Sequence, residues 1–584
     1  MPMHRAIFAH SLLAAMMIVE PARGAPAPLL DTATSSGPDL ILANGHVKTP
    51  DGWAEALAVH EGVIIAVGSS EEVARLRKDG TRTIDLGGRT VLPGLHDLHV
   101  HPIYAGVREA QCKIPQGSNL ERTLNLVRAC VDKAKPGDWI IGGQWDASAL
   151  GKIPNRAMLD KVAPNNPVYL EDTSGHSNWV NSQVLKLAGV TKETPNPPGG
   201  IFERDADGVP SGVQRESAVD VISRITPKPT LAQAEAGLRW SLQQMLSFGI
   251  TSFTEAAVGF TAGGATELAT YAAIADAGQL KQRVRLCITW APGVPSTLSA
   301  IASRNIYSRN RLAADCVKIF LDGVPTDSHT AGMLEPYAGG VGGRNDEASR
   351  MGLLLIQQDV LDKAVADFDR QGLTVKFHAA GDAAVREGLN AIEAARKANG
   401  FTPNMHKVGH SLFVAPGDIK RARAIGATFE VSPYLWGPTP INDDITKAVG
   451  PERIERVWPV REMLEADALV VPGSDWSVVP SVNPWIGLEQ LVTRQRSGGS
   501  ADSFGKSEAI SFEQAFRIFT ENSARQEGMG NKVGRIVPGM LADIIVTNQN
   551  PFAVPPTKIH ETRVDMTFIE GELVYRADVG EPAK

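Results

Sequence analysis

The chain has 584 residues, too many for one ordinary domain at roughly 100–200 residues each, although an α/β barrel alone can reach about 250. Lys+Arg total 58 against 65 Asp+Glu, a net charge of −7, which excludes a nucleic-acid binder working through a basic surface. A hydrophobic content of 43% with 21% charged residues excludes wholesale disorder, and four cysteines exclude a disulfide-dense scaffold or a paired four-thiolate zinc module.

From the N-terminus, Arg5 precedes an apolar stretch, residues 6–19, and a small-residue run in which Ala22 and Gly24 suit cleavage before Ala25. Residues 1–24 therefore read as a secretory signal peptide, and the protein is expected to be exported, periplasmic or secreted. No later segment has the roughly 18 consecutive apolar residues of a membrane span. Export brings an oxidising compartment, so Cys112 and Cys130, which flank one short segment, are expected to form a disulfide. Cys287 and Cys316 lie in strand-like runs and read as ordinary buried thiols.

Residues 38–92 alternate between short apolar runs and Gly or Asp turns, and residues 530–580 repeat that style. Two β-rich ends around an α/β middle suggest one small sheet domain assembled from both termini. The middle, 93–529, offers eight barrel strands at 91–99, 250–254, 284–290, 316–321, 373–378, 406–410, 427–432 and 468–474, mostly separated by helical stretches. That alternation predicts an α/β fold, a (β/α)₈ barrel of the TIM type. About 150 residues separate the first two strands, far beyond a normal connection, so an inserted segment is expected at about 105–245.

Of the thirteen histidines, several stand at the C-terminal ends of these strands, where barrel active sites are built. His99 and His101 end the first strand; alternate residues point the same way, so both imidazoles face one space. His378 ends the fifth strand, His410 the sixth and Asp475 the eighth, while Lys318 lies within the fourth. A lone strand-end histidine is ordinarily a hydrogen-bonded loop residue, and a lone strand lysine an ion-pair partner. The ordered set argues for one or two divalent metals, zinc first, with Lys318 able to bridge them if carboxylated by CO₂. Asp382 either supports His378 or caps the following helix. Trp145, Trp179, Tyr434 and Trp436 either line a pocket or pack. The glycine-rich run 340–344 lacks the Lys-Ser/Thr of a phosphate loop and reads as an active-site loop.

The run Val91-Leu-Pro-Gly-Leu-His-Asp-Leu-His-Val-His101 resembles the opening barrel strand of the amidohydrolase superfamily. Trp145-Asp146, Gly175-His-Ser-Asn-Trp179, Gly212-Val-Gln-Arg-Glu216, His378-Ala-Ala-Gly-Asp382, Gly473-Ser-Asp475 and Pro538-Gly-Met-Leu-Ala-Asp543 resemble its YtcJ-like branch, which includes N-substituted formamide deformylases. The resemblance implies that the terminal strands form a composite β-sandwich (38–92 with 530–580). It implies metal-site roles for His99, His101, Lys318, His378, His410 and Asp475, and matches His176 to a histidine of the inserted segment, read as near the substrate; Trp145 is taken beside it as a substrate-binding candidate on its own residue type. Two positions depart from the branch: Gly409 stands where Glu is usual, which costs a carboxylate able to orient a ligand, and His96 stands where a bulky apolar residue is common.

The expected function is metal-dependent hydrolysis of a C–N bond in a small-molecule amide, formamide or cyclic amide, with Asp475 handling the proton. Ester, lactone or phosphoester hydrolysis at the same centre, or a non-catalytic periplasmic metal-binding regulator, are the alternatives. A homo-oligomer is left open.

Overall fold

The structure, a computed structural model, describes residues 37–577 except 327 and 339–349. The expected leader and the glycine-rich run 340–344 lie outside the described residues. Eight parallel strands form one sheet in chain order, Leu95–Val100, Ile250–Val258, Arg283–Thr289, Leu312–Phe320, Thr374–Ala379, Lys407–His410, Thr428–Val431 and Leu469–Pro472. The sheet curls until its ends meet. Asp475 N donates to His99 O at 2.7 Å and His101 N to Trp476 O at 2.8 Å, so the seam joins the first strand to the segment after the last. All eight expected strands are present in order, as a TIM-type barrel requires. The first begins at Leu95, not at 91, because Thr90–Pro93 pairs instead with Ile544–Thr547 in another sheet.

That sheet is composite. Its order is Glu572–Arg576, Val564–Ile569, Ile544–Thr547, Thr90–Pro93, His46–Thr49 and Gly52–Ala54, three strands from each end of the chain. A four-stranded sheet, Val63–Gly68, Ala56–His60, Leu40–Ala43 and Arg82–Asp85, shares a core with it through Leu42, Leu57, Val91, Ile544 and Phe568.

The long connection after the first barrel strand carries a six-stranded sheet of its own, Gly200–Arg204, Pro210–Glu216, Ser177–Val180, Val168–Asp172, Ile140–Trp145 and Cys112–Lys113. Its two cores are separate from that of the barrel. The expected insert ends too late, however. Helix Leu231–Ser247 places Ala234, Leu238, Leu242 and Met245 in the barrel core, so the separately cored unit ends near residue 223.

Cys112 and Cys130 are bonded, tying the edge strand of the insert to helix Leu120–Val131. Cys287 and Cys316 are also bonded, which corrects the reading of two free thiols. They sit directly opposite each other on the third and fourth barrel strands with Cα atoms 4.2 Å apart, and strand register places them there. Among the described residues no helix is long and apolar enough to cross a membrane.

Candidate active site

Alternation along the central barrel strands sorts two residue types. Val317, Ile319 and Leu321, then Val375, Phe377 and Ala379, enter the main apolar core. Between them Lys318 and Phe320, then Lys376 and His378, take the other face. Register then stacks Lys318 beside Lys376 and Lys376 beside Lys407, and in the next row Phe320, His378, Gly409 and Glu430. Both rows are buried or nearly so, and the histidines gather above them at the C-terminal ends of the strands.

Asp475 sits at the seam and reaches three imidazoles. Its Oδ1 lies 3.5 Å from His99 Nε2 and 3.3 Å from His101 Nε2, and its Oδ2 lies 3.6 Å from His410 Nδ1. One ligand atom from each of His99, His410 and Asp475 lies within 4.8 Å of the others. The row of rings continues from His410 to His378 at 4.6 Å between centroids and from His378 to His176 at 4.9 Å. His378 Nε2 meets Gly323 O at 3.0 Å, so that nitrogen faces the segment following the fourth strand.

Burial, reinforced by neighbouring Lys376 and Lys318, holds the His99 imidazole well below its ordinary range. Burial also depresses His378, with help from His176 and Lys318, and His410, with help from His378 and Lys318. Neutral imidazoles are the form that binds a metal. His101 differs: burial lowers it, but hydrogen bonds to Asp475 and Glu255 outweigh that and raise it to about 9. Lys318 is 1% exposed, and burial lowers it to about 8 against the pull of Glu430 and Asp475. Its ammonium has no hydrogen-bonding partner among the described residues; the Phe320 ring lies 4.8 Å from it. Three histidines with depressed pKa values, a carboxylate and an unpaired lysine fit a borderline divalent metal with a carboxylated lysine.

Several residues that the sequence left unnoticed support this cluster. Glu430, on the seventh strand, puts Oε1 2.5 Å from His99 Nδ1 and pairs its other oxygen with Lys376. Glu255, on the second, accepts from Tyr271 OH at 2.9 Å and lies 3.2 Å from His101 Nδ1. A carboxylate can only accept, so each fixes a proton on Nδ1 and leaves Nε2 facing Asp475. Gly409 therefore does not cost the site its carboxylate. A Cβ at 409 would stand 2.7 Å from Glu430 Oε1, so the glycine leaves the space through which Glu430 reaches His99. An ionic residue inside an apolar strand, as in Phe429-Glu-Val431, is the one signal that could have found it.

Other expectations fare differently. Trp145 is 2% exposed, gives its Nε1 to Leu170 O at 3.1 Å and packs with Trp179 in the core of the insert, so its surface is used in packing and not in lining a pocket. Trp436 likewise stacks on Trp458 and under Arg494. Asp382 does not touch His378; as the first residue of helix Asp382–Asn399 it accepts from Leu334 N at 2.8 Å and from amides of the helix's own first turn, while Asp322 lies 3.6 Å from the His378 ring. His96 is buried and lowered to about 4 by burial, with Glu527 and Arg283 as its charged neighbours rather than the metal cluster. His176 stands on the turn between two insert strands with Nδ1 2.9 Å from Glu216 Oε2, and Glu216 more than reverses the effect of burial, raising it to about 9.

The amidohydrolase family profile, Amidohydro_3, matches residues 82–575. The chain is 28% identical to Protein LONG AFTER FAR-RED 3 of Arabidopsis thaliana over 92% of this chain and 91% of that one. It is 26% identical to the putative amidohydrolase YtcJ of Bacillus subtilis (89% and 96% covered) and 27% to the N-substituted formamide deformylase of Arthrobacter pascens (92% and 98%). An uncharacterized metal-dependent hydrolase from Pyrococcus furiosus shares the fold with a TM-score of 0.66 at 23% identity, covering 88% of this chain and 99% of its own. With a barrel carrying this cluster at its C-terminal mouth and a family match along most of its length, the chain belongs to the amidohydrolase family and is a hydrolase.

Proposed function

We propose that the enzyme hydrolyses the carbon–nitrogen bond of non-peptide amides, with N-substituted formamides and cyclic amides as the substrate classes. One observation carries the reading: Asp475 lies 3.3–3.6 Å from nitrogens of His99, His101 and His410 at the barrel seam. An amide needs a base for the attacking water and an acid for the departing nitrogen, because an unprotonated amide anion leaves poorly. The end-to-end likeness to a formamide deformylase favours an amide over an ester.

His99, His410 and Asp475 would hold a divalent metal, zinc by the chemistry of the set, with His101, His378 and a carboxylated Lys318 completing one or two sites. The chemistry such an ion supplies is a water whose pKa falls towards ~7 and a polarised carbonyl. Asp475 takes one proton as the water oxygen bonds to the carbonyl carbon. It returns that proton to nitrogen as the C–N bond breaks, leaving a carboxylic acid and an amine. Carboxylation of Lys318 is supported by its surroundings: the side chain is 1% exposed and burial lowers its pKa to about 8, so the neutral amine is within reach, and adding CO₂ to that amine with loss of one proton leaves an anion. Residues 1–24 act as an export leader in this reading, and sequencing the N-terminus of protein from its native host tests it.

The test of the chemistry is metal-loaded Asp475→Asn, assayed on N-substituted formamides, cyclic amides and matched esters. Asparagine keeps an oxygen but cannot accept the proton, so kcat and kcat/KM should both fall at least about 10²-fold. Near wild-type turnover, or a wild-type enzyme that cleaves only the esters, would refute the reading.

A further inference from the structure

The insert sends one constellation to the barrel mouth, and nothing in the metal cluster accounts for it. The turn between strands Val168–Asp172 and Ser177–Val180 is braced by its own side chains: Asp172 Oδ1 accepts from Ser177 N at 3.0 Å, and Ser174 Oγ accepts from His176 N at 3.2 Å. The brace presents the His176 imidazole to that of His378, 4.9 Å away. Glu216 ends strand Pro210–Glu216 with φ at +50°, a conformation that a residue with a Cβ adopts at a cost. Its backbone N donates to His176 O at 2.9 Å, and its Oε2 lies 2.9 Å from His176 Nδ1. The other oxygen, Oε1, accepts from Thr330 Oγ at 2.5 Å, from the barrel side. A Cβ at residue 323 would stand 2.4 Å from Glu216 Oε1 and 2.2 Å from Thr330 Oγ1, so Gly323 makes room for the bond.

Both carboxylate oxygens of Glu216 are thus committed, one to each side of the join between insert and barrel. The carboxylate holds a proton on His176 Nδ1 and fixes the ring plane. His176 Nε2 has no hydrogen-bonding partner among the described residues. His176 stands at one end of the row of imidazole rings, whereas Asp475 contacts His99, His101 and His410 along the rest of it.

We propose that Glu216, braced by Thr330, is a positioning residue that holds His176 Nε2 against the reacting amide group of the substrate, opposite Asp475. The proposal rests on the amide-hydrolase reading for its substrate. Because the contact is with the amide group itself, its loss should cost every substrate alike, whatever the substituent on nitrogen.

The experiment compares Glu216→Gln, His176→Ala, the double variant and Thr330→Val, all metal-loaded and checked for metal content and thermal transition. Glu216→Gln should keep its metal and fold yet lose roughly 10–100-fold in kcat/KM, the usual effect of removing a partner that orients a histidine. Thr330→Val should lose less, and the double variant should lose no more than His176→Ala, because Glu216 acts only through that ring. In protein with ¹⁵N-labelled histidine, the strongly hydrogen-bonded Nδ1–H proton of His176, assigned by its absence from His176→Ala, should lose its downfield shift in Glu216→Gln, because the carboxylate that accepts it is gone. Losses that multiply in the double variant, or kcat/KM within about threefold of wild type in Glu216→Gln, would overturn the proposal. If the wild type cleaves no amide, the amide reading fails by itself, and the Nδ1–H signal still decides this one: an unchanged His176 signal in Glu216→Gln refutes it, and a lost downfield shift upholds the positioning.

Discussion

Replacing Glu430 with glutamine should weaken metal binding although Glu430 touches no metal-facing nitrogen. Glu430 Oε1 lies 2.5 Å from His99 Nδ1, its other oxygen is paired with Lys376, and its side chain is 1% exposed. The carboxylate accepts from both neighbours. A glutamine has one acceptor and one NH₂, so either His99 or Lys376 must face a donor. If His99 does, its proton moves to Nε2, the nitrogen aimed at Asp475, and that nitrogen can no longer act as a ligand. A hydrogen bond to a charged group is worth about 1.5–3 kcal/mol, and loss of a partner that orients a metal-binding histidine typically costs about 10–100-fold in affinity, or about 1.4–2.7 kcal/mol. The two ranges agree, so the zinc dissociation constant of Glu430→Gln should rise by about one to two orders of magnitude. The measurement is competition between apoprotein and a chromophoric chelator, with circular dichroism confirming the fold. The thermal transition of the apoprotein should fall as well, because Lys376 loses its buried counter-charge. A folded Glu430→Gln with a zinc dissociation constant within about twofold of wild type would refute the argument that Glu430 sets the tautomer of His99.

Peptide mapping without reduction should recover both linked pairs, Cys112–Cys130 and Cys287–Cys316. Their sequence separations of 18 and 29 correspond to about 3–4 kcal/mol each in the chain-entropy model, so reduction should lower the thermal transition; free thiols at 287 and 316 would contradict the register described for those strands. Lys318→Ala should lower metal content, and a short carboxylate such as acetate in the buffer should restore part of it; no change in metal content would argue against a bridging carboxylated lysine. Asp369 governs part of the acid stability. Burial raises its pKa, but hydrogen bonds from His406, Thr402, Asn399 and Asn404 more than reverse that and leave it below the ordinary value. A depressed carboxyl stabilises the fold above its unfolded pKa of about 3.9 and loses that contribution as the pH falls from there through its folded value. Asp369→Asn should therefore unfold more easily at pH 7 than wild type, and the gap should close in acid; a constant gap down to pH 2 would contradict this.

The barrel was legible because each strand carries its own apolar run and because histidines and a carboxylate stand at strand ends, a local property. What lay beyond reach depended on register. The Cys287–Cys316 bond, the stacking of Lys318, Lys376 and Lys407, and the passage of Glu430 over Gly409 all follow from which residue faces which on adjacent strands. No single strand states that. Gly409 looked like a lost carboxylate because the neighbour that supplies one is 21 positions further along, on the next strand. Trp145 misled for a different reason: a motif tryptophan in a loop-rich region reads equally as pocket wall or as core, and only the sheet of the insert shows that it is core.

The composite sheet fixes the order in which the enzyme can be completed. Thr90–Pro93 leads directly into the strand that carries His99 and His101, and it pairs with Ile544–Thr547, while Gly94 N donates to Asp543 O at 2.9 Å. The root of that strand is therefore anchored by residues made some 450 positions later, and closing so long a loop must precede any gain from the pairing. A nascent chain still lacking its last forty or so residues has every histidine of the cluster but no finished support for the strand that carries the first two. The catalytic mouth becomes competent only when the tail arrives, so a C-terminal truncation that removes no catalytic residue should still produce an enzyme without a stable site.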